Sequence, residues 1–355
     1  VVLTGIRSVE TREVPRPVLE KETDVLIRVM AVGLCGSDIH YYTGGRIGDQ
    51  VVEYPFTVGH ECAGVIEEAG GSVRGLKPGD RVAVDPAIVC RACDQCLAGR
   101  SNTCRQLLFL GTPGQLSGCL AEYVVLPGEN CYALDAGISF EEGVLLEPLS
   151  IGIHSFRLLE GFRPEKMAVL GAGPIGLCVL LAARTYGMPR TYATDKVKAR
   201  VDAARRAGAR WAGNPDKEDI VAEIVKQEPE QLDVVFECAG DPAALDQAVG
   251  LLRPGGRLLI LGIPAADRVS FDIHKIRRKE ISIHNVRRQR HCYEEALQLI
   301  RTKKADVRFL ATHHFRLDEA AEAFELAESY SDGVLKAVIH AGWGVGNSLL
   351  RRAGR

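Results

Sequence analysis

The stretch MAVLGAGPIGLCVLLAA, residues 167–183, decides how this chain folds. It is the longest apolar run in the sequence, and its length approaches that of a membrane span. Gly171, Gly173, Pro174 and Gly176 interrupt it, however, and a strand, a tight turn and a helix explain it better. A GxGxxG turn that follows a strand and opens a helix is built to hold the pyrophosphate of a dinucleotide. Gly171 permits the turn, and Gly173 lets the backbone approach the pyrophosphate, whose charge the helix N-terminus stabilises. Gly176 permits close helix–sheet packing. Asp195 lies 19 residues beyond Gly176, at the end of the predicted strand RTYATD, where a carboxylate accepts hydrogen bonds from an adenosine ribose. Its charge would repel a 2′-phosphate and so favours NAD over NADP. Lys196 and Arg200 either counter that repulsion or face solvent. A glycine-rich turn with no ligand is the competing reading, and the flanking strand, helix and Asp195 weigh against it.

Outward from this turn the pattern continues. MAVLG leads into a helical stretch through Gly187, and RTYATD into KVKARVDAARRAGA, a helix ending at Gly208. LDVVFECAG reads as a strand, DPAALDQAVGLLRPGG as a helix closed by Pro-Gly-Gly, and RLLILG as a strand. Such alternation implies a parallel, doubly wound sheet. Before residue 148 the texture differs. DVLIRVMAVGLC, CAGVIEEAG, DRVAVDP and LAEYVVLP are short β-branched runs broken by Gly and Pro, which is all-β texture. A length of 355 residues also exceeds one ordinary core, so two domains are expected. The Gly- and Arg-rich end, AGWGVGNSLLRRAGR, is read as a tail.

Bulk properties narrow the function. A charged fraction of 25% beside 46% hydrophobic residues is that of a soluble globular protein. A formal charge of −2 gives no electrostatic reason to expect nucleic acid or an anionic membrane as partner. The run Lys275-Ile276-Arg277-Arg278-Lys279 reads as a solvated face. The N-terminal VVLTGIRSVETREVPRP carries early charges and no continuous apolar core, so no secretory signal is expected. Eleven cysteines, an odd number, argue against a disulfide framework and for a cytoplasmic setting with metal-bound and free thiols. Cys62, Cys119, Cys131, Cys178, Cys238 and Cys292 stand singly and read as small core or surface residues.

The remaining cysteines have a pattern. In CRACDQCLAGRSNTC, Cys90, Cys93, Cys96 and Cys104 lie within fifteen residues and can close a tetrahedral Zn²⁺ site with no open position, hence a structural one. Four free thiols or an iron–sulfur cluster are the alternatives. A working metal needs an open position. Cys35 in LCGSDIH, with His60 and Glu61 in GHEC, supplies a thiolate, an imidazole and a carboxylate, a sound set of three. Spacing alone does not establish it, because Cys35 and His60 form no local motif.

CGSDIHYYTGGRIGD, VGHECAGVI, KPGDRVAVDP, CRACDQCLAGRSNTC, LLEPLSIGIHS and GAGPIG occur in that order. Together they resemble the zinc-dependent medium-chain dehydrogenases, and within them the polyol branch of sorbitol, xylitol and L-arabinitol dehydrogenases, over residues 1 to about 340. The resemblance implies an α/β plus β fold. A GroES-like catalytic domain would comprise residues 1–148 and 287–355, and a Rossmann domain residues 149–286. It implies two Zn²⁺ per chain, one structural and one catalytic at Cys35, His60 and Glu61. Glu147 would bind the latter directly or through water. It implies that the metal acidifies a substrate alcohol whose hydride passes to NAD, with Ser37 and His40 at proton-relay positions. Tyr41 and Arg288 would contact substrate hydroxyls, and Phe56, Phe109 and Thr112 would line the pocket. Pro174, Ile175, Leu261, Gly262 and Ile263 would join Gly171, Gly173, Gly176, Asp195 and Arg200 around the cofactor. A homotetramer or homodimer acting on a small polyol is implied as well. The complete cysteine lobe is a feature that animal sorbitol dehydrogenases generally lack, and NVRRQRHCYEEAL (285–297) departs from the polyol pattern around Gln289. The competing expectations are an L-threonine 3-dehydrogenase and a zinc-stabilised NAD(H)-sensing or scaffold protein without turnover.

Overall fold

The computed structural model describes residues 1–342. Residues 343–355, which hold most of the expected tail and the last part of the expected catalytic domain, lie outside the described residues.

Two sheets organise the chain. The first is built around Asp24–Gly33, a strand buried almost throughout because it is covered on both faces. Across this sheet run Cys131–Ala133, Arg81–Val84, Glu61–Ala69, Asp24–Gly33, Lys336–His340 and Ala311–Arg316, and Tyr123–Pro127 also pairs with the central strand. The two ends of the chain therefore share one sheet. Val338 of the C-terminal strand sits opposite Gly33, and Gly33 sits opposite Glu61.

The second sheet has six parallel strands: Lys166–Leu170, Arg190–Thr194, Trp211–Gly213, Leu232–Glu237, Leu252–Ile260 and Ser282–Asn285. Numbered along the chain, their order across the sheet is 3-2-1-4-5-6, the dinucleotide-binding arrangement whose switch point lies beside the first strand. Helix Pro174–Thr185 starts there, with Gly173 as N-cap and Pro174 at its first position, where a missing N–H costs nothing. This helix packs on Leu146–Arg157, and the approach is close: a Cβ on Gly152 would lie 2.8 Å from the Cys178 carbonyl oxygen. The fold is thus a GroES-like domain joined to a Rossmann domain. No described helix is long and apolar enough to cross a membrane.

Two expectations need correction. The helix read through Pro-Gly-Gly stops at Leu251, and Leu252–Ile260 is one strand. Leu252 pairs with Leu232 and Arg257 with Val234, so the RPGG segment is a bulge that takes up extra residues, with Gly255 at φ +73°. The basic run is not wholly a solvated face. Lys279 folds back and donates to the carbonyls of Val249, Gly250 and Leu252, satisfying the C-terminus of helix Pro242–Leu251.

Gly176→Ala would place a Cβ 2.0 Å from the Gly171 carbonyl oxygen, backbone that cannot yield. A loss of about 1–3 kcal/mol, read as a lower thermal midpoint, is expected; an unchanged midpoint contradicts this packing.

Candidate active site

Register assembles the first site. Strand Asp24–Gly33 runs into Cys35, which is the N-cap of helix Gly36–Gly44. The pairing of Gly33 with Glu61 puts Cys35, two residues further on, beside His60. Only glycine fits at 33, since a Cβ would lie 2.4 Å from Glu61 Oε2. Cys35, His60 and Glu61 each offer a ligand atom, all within 4.8 Å of one another.

Asp38, which the sequence reading missed, holds this cluster together. Fully buried, it accepts from the Cys35 N–H through Oδ2 at 2.9 Å and from the Gly59 N–H through Oδ1 at 3.1 Å. Oδ1 also lies 3.7 Å from His60 Nδ1, near enough for electrostatic attraction but not for a hydrogen bond. Lys336 was also missed. Its buried ammonium donates to both oxygens of Glu61, at 2.8 and 2.7 Å, and to the Leu34 carbonyl at 3.0 Å. The sequence signal for Lys336 is a single lysine in the apolar strand KAVIH.

The donor chemistry suits zinc. Burial and the charge of Glu61 push the Cys35 thiol up to about 12, so a cation is needed to hold it as thiolate beside that carboxylate. Burial likewise pushes Glu147 up to about 8, with Glu61 and Cys35 adding repulsion against the attraction of His60. Glu147 sits in the first turn of Leu146–Arg157. It is within electrostatic reach of all three residues, yet it is not among the groups whose ligand atoms lie within 4.8 Å of one another.

Around the cluster stand most of the other expected residues. Ser37 follows Cys35 by two residues, close enough for its hydroxyl to act on the thiol's titration. His40, one turn on, lies near the Ile263 backbone, and burial lowers its pKa. Tyr41 is buried and donates to Gln50 Oε1 at 3.2 Å, and Thr112 stands near its hydroxyl. Phe109 meets the His60 ring at 5.3 Å, and the Arg288 guanidinium lies 3.4 Å over the Phe109 ring centroid. Arg288 has φ +52° and a buried Nη1 without a protein partner, and burial pushes its pKa down to about 9. Phe56 instead pairs its backbone with Leu3 and packs on the core of the first sheet.

At the glycine turn, Gly171 has φ +94°. Asp195 accepts from the Ala172 N–H at 2.9 Å and the Val197 N–H at 2.8 Å, so the carboxylate also shapes the turn. Lys196 is paired with Asp241 at 3.0 Å. Arg200 stacks on Tyr330 at 4.3 Å, and its Nη1 would be 3.6 Å from a Cβ on Gly173, so its guanidinium lies against the phosphate side of the turn. Ile175 lies in the first turn of helix Pro174–Thr185. Leu261, Gly262 and Ile263 line a pocket with Glu237, Gly240 and Val269 at the C-terminal ends of the parallel strands.

The four lobe cysteines also lie within 4.8 Å of one another. The sulfur separations Cys90–Cys104, Cys93–Cys104 and Cys90–Cys96 are 3.5, 3.9 and 4.0 Å; sulfurs about 2.3 Å from one zinc stand about 3.8 Å apart. Backbone N–H groups, Arg105 foremost, pull the Cys93 thiol down to about 6. Beyond the lobe, Asn102 Nδ2 donates to the Arg287 carbonyl at 2.9 Å, and Gln289 Nε2 to Asp85 Oδ2 at 2.8 Å. The altered segment around Gln289 is therefore braced from both sides. None of the six single cysteines is exposed.

A thiol–imidazole–carboxylate cluster and a dinucleotide-binding turn in one chain point to a metal-dependent oxidoreductase. Residues 21–136 match the alcohol dehydrogenase GroES-like domain, and residues 174–302 the zinc-binding dehydrogenase domain. A sorbitol dehydrogenase of Bacillus subtilis strain 168 is 36% identical over 96% of each chain. An L-idonate 5-dehydrogenase of Vitis vinifera is 36% identical over 91% of this chain and 89% of its own. Among solved structures, a protein described as a zinc-binding dehydrogenase from Sinorhizobium meliloti 1021, bound to NADP, superposes with a TM-score of 0.87 at 30% identity, over 96% of this chain and 98% of that one. The chain belongs to the zinc-dependent medium-chain alcohol and polyol dehydrogenases, and it is an oxidoreductase.

Lys336→Met would leave the Glu61 carboxylate buried and unpaired. In metal-free protein this is expected to cost about 3–5 kcal/mol by urea denaturation, with part of the loss recovered on adding zinc. A loss below about 1 kcal/mol would mean that the pair is solvated.

Proposed function

We propose that this enzyme oxidises a sugar alcohol, of the sorbitol, xylitol or L-arabinitol type, to the ketose with NAD as hydride acceptor. The observation that carries the reading is a buried phenol, Tyr41, together with a half-buried guanidinium, Arg288, whose Nη1 is buried, near the Cys35–His60–Glu61 cluster. A plain alkyl alcohol gives such groups nothing to bond, whereas neighbouring hydroxyls satisfy them. The open nitrogen of Arg288 is the donor most in need of an acceptor.

In this reading Cys35, His60 and Glu61 hold the catalytic zinc, with Glu147 as fourth ligand or as anchor of its water. Cys90, Cys93, Cys96 and Cys104 hold the structural one. When bound, zinc acidifies the substrate hydroxyl and NAD takes up the hydride that converts the carbinol to a ketone. Ser37 and His40 carry the hydroxyl proton away. Lowered by burial, His40 is neutral at neutral pH and able to accept it. Asp38 attracts the His60 ring. With NAD bound, Asp195 would accept from the adenosine ribose, Arg200 would stand by the pyrophosphate, and the pocket at Leu261, Gly262 and Ile263 would take the nicotinamide half. Lys196 is engaged with Asp241, which limits how far it offsets the Asp195 charge and supports NAD. We place the domain boundaries at residues 148/149 and 286/287, and the enzyme in the cytoplasm as a homodimer or homotetramer.

Assay of NAD reduction across four- to six-carbon alditols, with threonine in parallel, tests the substrate class; threonine-only activity would defeat it. Cys35→Ser or His60→Ala is expected to lower kcat by about 10²–10³-fold or more while NAD still binds by fluorescence titration. Retained turnover in either variant refutes the assignment. Asp195→Ser is expected to narrow the NAD over NADP ratio of kcat/KM. An unchanged ratio would remove Asp195 as the discriminator.

A further inference from the structure

We propose that Glu141, His314 and His340 form an additional zinc site, separate from the cysteine lobe and from the Cys35 cluster. Three elements meet there: the first turn of helix Phe140–Val144, strand Ala311–Arg316 and the end of strand Lys336–His340. Each residue offers one ligand atom, all within 4.8 Å of one another. His314 Nδ1 is 3.0 Å from His340 Nε2, and His340 Nε2 is 3.8 Å from Glu141 Oε1. The second separation is too long for a hydrogen bond. Both bracket the roughly 3.4 Å between two nitrogen or oxygen ligands of one tetrahedral zinc.

The local structure turns these groups toward one another. Glu142, not Glu141, closes the capping box with Ser139, which leaves the Glu141 carboxylate for His340. His340 is buried, and its ring stands against both His314 and Glu141. The two imidazoles share one hydrogen across the 3.0 Å contact. Binding requires the donor ring to shift that hydrogen to its far nitrogen, a change of tautomer without loss of a proton.

Two imidazoles and one carboxylate are ligands for a transition ion rather than for calcium or magnesium, which take oxygen. His314 is exposed, so solvent completes the coordination and the ion exchanges with the medium. The site is remote from the Cys35 cluster: His340 lies four residues beyond Lys336 on one strand, about 13 Å. Yet it joins the elements that carry two active-site groups. Helix Phe140–Val144 leads directly into the helix bearing Glu147, and strand Lys336–His340 begins with the lysine on Glu61. Bound zinc would staple the C-terminal strand pair to the segment that leads to Glu147.

The test is calorimetric titration with Zn²⁺ of reduced protein already loaded at its cysteine sites, with thermal melts in parallel. Wild type is expected to take up one more zinc than His314→Ala and to melt higher when zinc is added. His314→Ala and Glu141→Gln, both at accessible positions, are expected to weaken this binding by about 10–100-fold or more and to lose the zinc-dependent rise. His313→Ala, at a neighbouring side chain that faces Asp332, is expected to keep both. Absence of extra uptake in wild type, or binding in His314→Ala and Glu141→Gln equal to wild type, overturns the proposal.

Discussion

The ion pair between Lys336 and Glu61 is the constraint around which the catalytic domain closes. A lysine shut away from water is stable only with an anion and further acceptors around it, and here Glu61 and the Leu34 carbonyl provide them. The pair joins the last described strand to the beginning of the chain. It ties strand Lys336–His340 to strand Glu61–Ala69, which lie on either side of Asp24–Gly33 in one sheet. It also fixes both oxygens of a carboxylate that would otherwise be free to swing, so Glu61 faces the cluster in one orientation. Gly33 makes the room for this, and Asp38 supplies the corresponding restraint on Cys35 and His60.

The second constraint is the glycine turn. Its glycines answer to backbone approaches of 2.0 Å between Gly176 and the Gly171 oxygen, and 2.6 Å between Gly171 and the Ala239 nitrogen, for any added Cβ. Asp195 binds the turn from the end of the neighbouring strand. One carboxylate thus shapes the pyrophosphate loop and stands where the ribose would lie, so cofactor preference and loop integrity are coupled.

Much of this was legible from the residues. The strand–turn–helix around Gly171 and the four cysteines of the lobe are local patterns, and local patterns survive in one dimension. The doubly wound sheet followed from alternation. Cys35 and His60 are 25 positions apart and meet through strand register, so spacing by itself pointed to no cluster; resemblance supplied it. Asp38 and Lys336 escaped notice because one reads as an ordinary helix-capping acid and the other as a stray cation in a strand. Their meaning is entirely tertiary. The RPGG bulge was misread for a similar reason: Pro-Gly-Gly signals the end of a helix, and nothing local tells that the next strand has already begun.

The contacts between the cysteine lobe and residues 287–289 carry an evolutionary consequence. Arg288 holds a left-handed backbone conformation, and its neighbours lean on Asn102 and Asp85. The lobe is therefore a buttress as well as a metal clasp. A lineage that discarded those cysteines would have to rebuild this wall of the pocket from other material. Loss of the lobe and rewriting of the 285–291 segment should then travel together through descent, and with them the choice of substrate.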